Sequence, residues 1–221
     1  MKQSAAFDFE SINRLLKKEY DKHRAPIVEF IQMQTGDPFK VLVATILSAR
    51  TKDETTTEVC GRLFKKVRHL SDLNRIPVKE LEKLIFPIGF FRTKTRMLKQ
   101  LPTAVNTLFK GKIPDGIDDL CKLPGVGRKT ANLVRAVAFN KPAVCVDVHV
   151  HRICNRLGLI KTRNPFETEM KLREILPEKY WITWNAYLVS YGQTICNPVS
   201  PKCSECVIPA FCKRIGVTKS R

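Results

Sequence analysis

Residues 117–139, IDDLCKLPGVGRKTANLVRAVAF, decide the fold. Apolar residues at helical spacing stop at Leu123 and resume after Gly127, leaving Pro124 to Gly127 as a sharp turn. A short helix precedes that turn, and a longer one follows with Val134, Val137 and Ala138 facing inward. Gly125 and Gly127 can take positive φ, and without Cβ atoms they let backbone N–H groups approach a phosphate at the positive end of the second helix. Arg128 and Lys129 in its first turn reinforce that anion site. Contacts of this kind hold a nucleic-acid backbone without reading its sequence. An ordinary αα-hairpin turned by the same glycines also satisfies the pattern. A nucleotide-binding P-loop does not, because Gly127 is followed by Arg128 rather than by Lys-Ser/Thr and no strand precedes the turn.

The same period continues outward in both directions. Phe9, Ile12, Leu16 and Tyr20 mark one helix, and Val59, Leu63, Phe64 and Val67 another. Asp37-Pro38 is an N-cap and first-turn proline opening a helix to about Ser48, and Asn164-Pro165 does the same before Phe166 to Leu176. Prolines and glycines divide the remainder into nine or ten helices, with Pro102 kinking the one around Met97 to Phe109. The expected fold is all-α, in two helical lobes: residues 31–141 with the hairpin, and residues 1–30 together with 142–221. The segment Ile88-Gly89-Phe90-Phe91-Arg92-Thr93-Lys94 echoes 123–129 as a second glycine turn before a basic helix start.

Composition narrows the partners. Lysine and arginine number 39 against 21 aspartates and glutamates, a net charge of +18 that suits a polyanion. The longest nearly uninterrupted apolar run, Val41 to Leu47, is far short of the roughly 20 residues a membrane-spanning helix needs. Nor does MKQSAAFDFESINRLLKKEY carry the apolar core of a secretory signal. An intracellular, cytoplasmic or nucleoid-associated protein is expected, with no membrane partner.

Cys196, Cys203, Cys206 and Cys212 form C-x6-C-x2-C-x5-C, while Cys60, Cys121, Cys145 and Cys154 are scattered through helical or apolar sequence. Four closely spaced thiolates in a reducing compartment point to metal rather than disulfides. Zinc favours two C-x2-C knuckles and only one is present, whereas an iron–sulfur cubane accepts uneven spacing. Lys202, Lys213 and Arg214 give the 196–212 loop a cationic face. Trp181, Trp184 and Tyr187, just before it, read as core.

Two more residues carry chemistry. Lys129 sits at a helix start beside another cation, where a neutral, nucleophilic amine is favoured. Asp147 follows the extended stretch Ala143 to Val146 and looks like the N-cap of Val148 to Leu157. Should the two helix starts share a groove between the lobes, Lys129 can attack a sugar C1′ while Asp147 stabilises the developing sugar cation.

LPGVGRKTANLV, then VDVHVHRICNRLG, then the cysteine spacing together resemble the endonuclease III family of helix-hairpin-helix DNA glycosylases, from about Phe30 to Cys212. The resemblance implies that Lys129 forms the Schiff base with the damaged nucleotide, that Asp147 is its essential partner, and that His149 and Arg152 lie near the DNA. It implies a [4Fe–4S] cluster on the four cysteines. LSARTKD, Leu47 to Asp53, resembles the loop that fills the gap left by an extruded base; some members carry glutamine at the position of Arg50. Phe90 matches the second intercalating position, and a core phenylalanine is its other reading. The implied activity is that of a monomeric bifunctional glycosylase and abasic-site lyase that releases oxidised pyrimidines from double-stranded DNA. A mismatch-specific thymine or adenine glycosylase and a non-catalytic iron–sulfur DNA-binding protein are the alternatives. Enzymes of the mismatch kind usually lack the lysine that Lys129 supplies.

Overall fold

A computed structural model of the chain describes residues 7–22 and 27–221. Among the described residues there are α-helices and short 3-10 turns but no strand. The helices are α1 (Phe9–Tyr20), α2 (Ile27–Thr35), α3 (Pro38–Ser48), α4 (Asp53–Lys66), α5 (Asp72–Arg75) and α6 (Val78–Ile85). They continue as α7 (Phe91–Phe109), α8 (Ile117–Leu120), α9 (Arg128–Phe139), α10 (Val148–Leu157), α11 (Pro165–Ile175) and α12 (Trp181–Thr194). That is more than the nine or ten expected, because α5 and α8 each have 4 residues, too few to show a hydrophobic period. α7 begins at Phe91 rather than near Met97 and carries Pro102 inside its span.

The chain divides into two compact units, one of residues up to 25 with Val144–Arg221, the other Pro26–Ala143. Residues 1–6 and 23–26, which the sequence reading assigns to the N-terminal part of a lobe, lie outside the described residues.

In the Pro26–Ala143 unit the organising element is α3. Asp37 starts it by accepting the Phe39 N–H at 2.9 Å, with Pro38 pre-set at the first position. Val41 to Leu47 are buried without interruption, so this helix is enclosed on all sides. It packs against α2, α4, α7 and α9. Burial of each Val, Leu or Ile there contributes roughly 1.5–3 kcal/mol.

The other unit is built round α12, which packs against α1 and α10. Trp184, Leu188 and Tyr191 meet Ile12, Leu16, Ile153 and Leu157 in its core. The Phe9 ring stands edge-on to Trp184 at 5.9 Å. Trp184 and Tyr187 are therefore core, as their spacing suggested, and Trp181 is half-buried with its indole N–H on the Leu176 carbonyl at 2.8 Å.

Candidate functional site

Leu120, Leu123 and Val126 of the hairpin are buried in the core of their unit and hold the turn from within. Gly125 has φ 79°, and a Cβ there would stand 2.8 Å from Met97 Sδ. Glycine is required at that position on both counts. Gly127 departs from the expected positive φ: its φ −94° and ψ 175° are extended backbone that any residue adopts, and a Cβ would meet nothing within 4 Å. The reason is that it is the N-cap of α9, and N-caps are β-like. Asp8, Asp37, Asp147 and Asn164 cap α1, α3, α10 and α11 with side-chain oxygens, whereas α9, like α7 and α12, has neither a side-chain cap nor an acid in its first turn. An anion arriving at this turn meets the positive helix end with Arg128 and the exposed Lys129 in its first turn.

Two further turns flank the hairpin in the same unit. Arg50 and Phe90 are exposed, both left-handed with φ 56° and 59°. Phe90 is 63% exposed, which removes its reading as a core residue. The Arg50 guanidinium carbon lies 5.5 Å from the Phe90 ring centroid. Both side chains line an open pocket of about 280 Å³ with Thr93, Lys94, Met97 and Gly125. In the echo of the hairpin at 88–94, Arg92 is exposed in the first turn of α7, whereas Lys94 is buried and its Nζ donates to backbone carbonyls.

In the other unit, Asp147 is the N-cap of α10, 9% exposed, with Oδ1 accepting the N–H groups of His149 and Val150 at 2.8 and 2.9 Å. His149 and Arg152 are half-buried and in contact with each other, Nδ1 of the ring lying 3.0 Å from Arg152 Nη2. The His149 ring sits where a Cβ on residue 192 would overlap it, so Gly192 of α12 is what admits it. Arg152 Nη2 donates to the carbonyls of Gly192 and Cys196 at 3.1 and 2.8 Å. Spacings of three and four place His149, Arg152 and Arg156 on one face of α10, and that face packs on α12. His151 is engaged elsewhere, with Nδ1 2.7 Å from Thr168 Oγ1.

The four C-terminal cysteines are half-buried and none of the eight cysteines forms a disulfide. Three of the four sulfurs have N–H or O–H donors aimed at them. Arg156 Nη1 reaches Cys196 Sγ at 3.4 Å, the Tyr191 hydroxyl donates to Cys206 Sγ at 3.0 Å, and the Arg214 N–H lies 3.4 Å from Cys212 Sγ. Burial raises the Cys212 thiol, and Cys206, Cys196 and Cys203 raise it further, so the four sulfurs act on one another. Cys60 and Cys154, by contrast, are core thiols that burial pushes up to about 12. The segment after Cys212 is tied to the end of α10, with the Lys213 and Ile215 N–H groups on the carbonyls of Leu157 and Arg156. Lys202 pairs with Glu205 at 3.6 Å. Among the described residues, no group of three or more His, Cys, Asp or Glu is set to hold a metal ion.

Residues 43–178, from α3 through the hairpin and Asp147, match the family described as HhH-GPD superfamily base excision DNA repair protein. The chain belongs to that superfamily. It is 44% identical over 177 residues to endonuclease III of Thermotoga maritima, covering 80% of this chain and 83% of that one. A solved non-covalent endonuclease III–DNA complex is similar at 34% identity and TM-score 0.81, over 93% of this chain and 95% of the other. A trapped endonuclease III–DNA covalent intermediate, an estranged-adenine complex, is similar at 33% identity and TM-score 0.78, over the same 93% and 95%.

Within this HhH-GPD chain, several residues that shape the site escape a reading of motifs. Lys94 shares a helix face with Leu98 and Leu101, at spacings of four and seven, so its place on an apolar stripe is the signal that it is buried. Arg156 lies one helical turn after Arg152 on the face turned to α12. Tyr191 lies within a continuous apolar helix, and nothing in its spacing singles it out from core.

Proposed function

We propose that this protein is a bifunctional DNA glycosylase and abasic-site lyase of base excision repair, releasing oxidised pyrimidines from double-stranded DNA and cutting the resulting abasic strand. The observation that carries the reading is the start of α9: a helix N-terminus with no side-chain cap, and an exposed lysine in its first turn. It stands in a chain similar to endonuclease III over most of its length. The two compact units support a division into two lobes, expected at 31–141 and 1–30 with 142–221, with residues 26–30 and 142–143 falling in the hairpin-bearing unit.

Gly125, Gly127 and Arg128 hold a phosphate, which positions the duplex without selecting its sequence. Lys202 adds charge at the cysteine loop. The target nucleotide leaves the stack because its glycosidic carbon is inaccessible within it, and Arg50 and Phe90 fill the space it leaves. Lys129 Nζ forms a bond to C1′ while the C1′–base bond breaks and the base departs with the electron pair. Asp147 stabilises the cationic sugar and takes the proton that the attacking amine sheds. Ring opening leaves an imine, which acidifies the C2′ proton; loss of that proton expels the 3′-phosphate by β-elimination. The protein acts as a monomer.

Cys196, Cys203, Cys206 and Cys212 hold a [4Fe–4S] cluster. The donor set fits it: four mutually interacting thiols, three of them already receiving N–H or O–H donors of the kind that iron-bound thiolates accept. A cubane takes each thiolate on a separate iron, so it asks for no shell of ligands round one ion. When bound, it supplies iron–thiolate bonds that fix the loop. No step of base release runs through it.

The test is incubation with a duplex bearing one abasic site, with borohydride present. Strand cleavage and a covalent protein–DNA adduct are expected. Binding without either outcome overturns the lyase assignment; base release from a mismatched duplex without adduct formation then identifies a monofunctional glycosylase.

A further inference from the structure

The turn at 49–51 ends α3 in an unusual way. α3 has no basic residue in its last turn and no glycine after it, yet its terminal carbonyls are accounted for. Ser48 Oγ donates to the Thr45 carbonyl at 3.0 Å and the Thr51 N–H to the Ser48 carbonyl at 3.0 Å. The carbonyls of Leu47 and Ala49 are taken by a side chain from another helix: Lys94 Nζ of α7 donates to them at 2.8 and 2.7 Å. Lys94 is only 6% exposed. A buried ammonium at a helix C-terminus meets the negative end of the helix dipole and two orphan acceptors at once. Burial pulls this amine down to about 8.

The turn so capped is also tied to its neighbour. The Gly89 N–H donates to Thr51 Oγ1 at 3.2 Å, and a Cβ on residue 89 would stand 2.9 Å from the Arg50 carbonyl oxygen. Only glycine allows that approach. Each turn carries a non-glycine residue held left-handed, Arg50 on one and Phe90 on the other, a sparsely populated conformation that persists only when its surroundings over-determine it. Lys94, Thr51 and Gly89 are those surroundings, and Lys94 is the one that reaches both the end of α3 and the helix that Phe90 opens.

We propose that Lys94 is a positioning residue that caps α3 in trans, so that Arg50 and Phe90 enter the duplex as one preformed body. The proposal rests on the reading of those two residues as the gap-filling pair. It adds that their geometry is set before DNA arrives, by a lysine whose ammonium is engaged by the carbonyls of Leu47 and Ala49. Losing the cap frees the Leu47 and Ala49 carbonyls, lets the 49–51 turn relax out of its left-handed conformation, and separates Arg50 from Phe90. The ordering of the pair is then demanded at every encounter with DNA, and insertion slows.

The measurement uses a duplex with a tetrahydrofuran abasic analogue opposite 2-aminopurine, whose fluorescence rises when it is unstacked. Wild-type protein raises the signal. Lys94→Met, which keeps the apolar stem and removes the donors, lowers the amplitude or rate of that rise by about tenfold, the scale expected of displaced positioning groups. The ratio of cleavage of duplex to single-stranded abasic DNA falls with it, because a single strand presents no stack to enter. A full fluorescence response in a folded Lys94→Met protein overturns the proposal. Thr51→Val removes only the acceptor of the Gly89 N–H and carries the same test where Lys94→Met does not fold; its response falls too, and a full response is fatal to the preformed pair. A wild-type protein that leaves the 2-aminopurine signal unchanged sinks instead the gap-filling role of Arg50 and Phe90.

Discussion

Arg156 Nη1 donates to the sulfur of Cys196 at 3.4 Å, and the same guanidinium holds the carbonyls of Asn197 and Pro198 at 2.7 Å each. One buried cation of α10 thus fixes the first turn of the cysteine loop and faces its first sulfur. The helix that Asp147 opens and the loop that the cysteines close are parts of one packed arrangement. Arg156→Met keeps most of the apolar volume but leaves those carbonyls unpaired, so a loss of about 2–4 kcal/mol is expected. Thermal unfolding checks the stability, and iron content per chain checks the loop, which should bind its cluster less completely. A variant melting with the wild type and carrying equal iron would show that the contact is incidental.

Purified protein is expected to be yellow-brown with about four irons and four sulfides per chain. Cys203→Ser should lose that absorbance, since three thiolates do not replace four. Stoichiometric zinc without sulfide would contradict the cluster, and a Cys203→Ser protein of unchanged spectrum would contradict the ligand set.

The two hairpin glycines should respond differently to alanine. Gly125→Ala places a side chain at positive φ against Met97, at a cost of about 1–3 kcal/mol. Gly127→Ala meets ordinary φ and open space, so the melting temperature should not change while affinity for undamaged duplex falls. Arg128→Ala should weaken the same binding about equally across sequences and flatten its dependence on salt. Equal melting losses for the two glycine variants, or an unchanged affinity for Gly127→Ala, would mean that the glycines serve only to turn the chain.

Helix starts are legible in the sequence because capping is local: Asp37, Asp147 and Asn164 each accept N–H groups two or three residues onward, and their types announce it. The hairpin is legible for the same reason, although of the two glycines that can take positive φ only Gly125 does, Gly127 being an N-cap without a side chain. For His149 and Arg152 a motif shows which residues recur together, not what they touch: their contacts with α12, which Gly192 admits, come from packing and leave no local pattern. The burial of Lys94 is legible in the apolar stripe of α7, but its acceptors are not: they lie 47 and 45 residues away in the chain, and a contact of that range leaves no local pattern.

The chemistry itself turns on Lys129 and Asp147. Lys129→Gln replaces the amine with an amide that cannot form an imine, so borohydride trapping on damaged or abasic duplex should vanish. Gln is also a good helix former, and the variant should fold and bind DNA. Asp147→Asn is informative because asparagine is as good an N-cap as aspartate. It can still accept the His149 and Val150 N–H groups, so α10 should form and the melting temperature should hold. What is lost is the negative charge that steadies a developing sugar cation, a loss of about 3 kcal/mol or more in such sites, on the order of a hundredfold in base release. Comparison with Asp147→Ala separates the two roles: alanine should lose both charge and cap, lowering stability by about 1 kcal/mol beyond the asparagine variant. If Asp147→Asn releases bases at the wild-type rate, the aspartate is a cap and nothing more. If Lys129→Gln is still trapped, another amine is the nucleophile and the assignment of the lyase centre to the start of α9 fails.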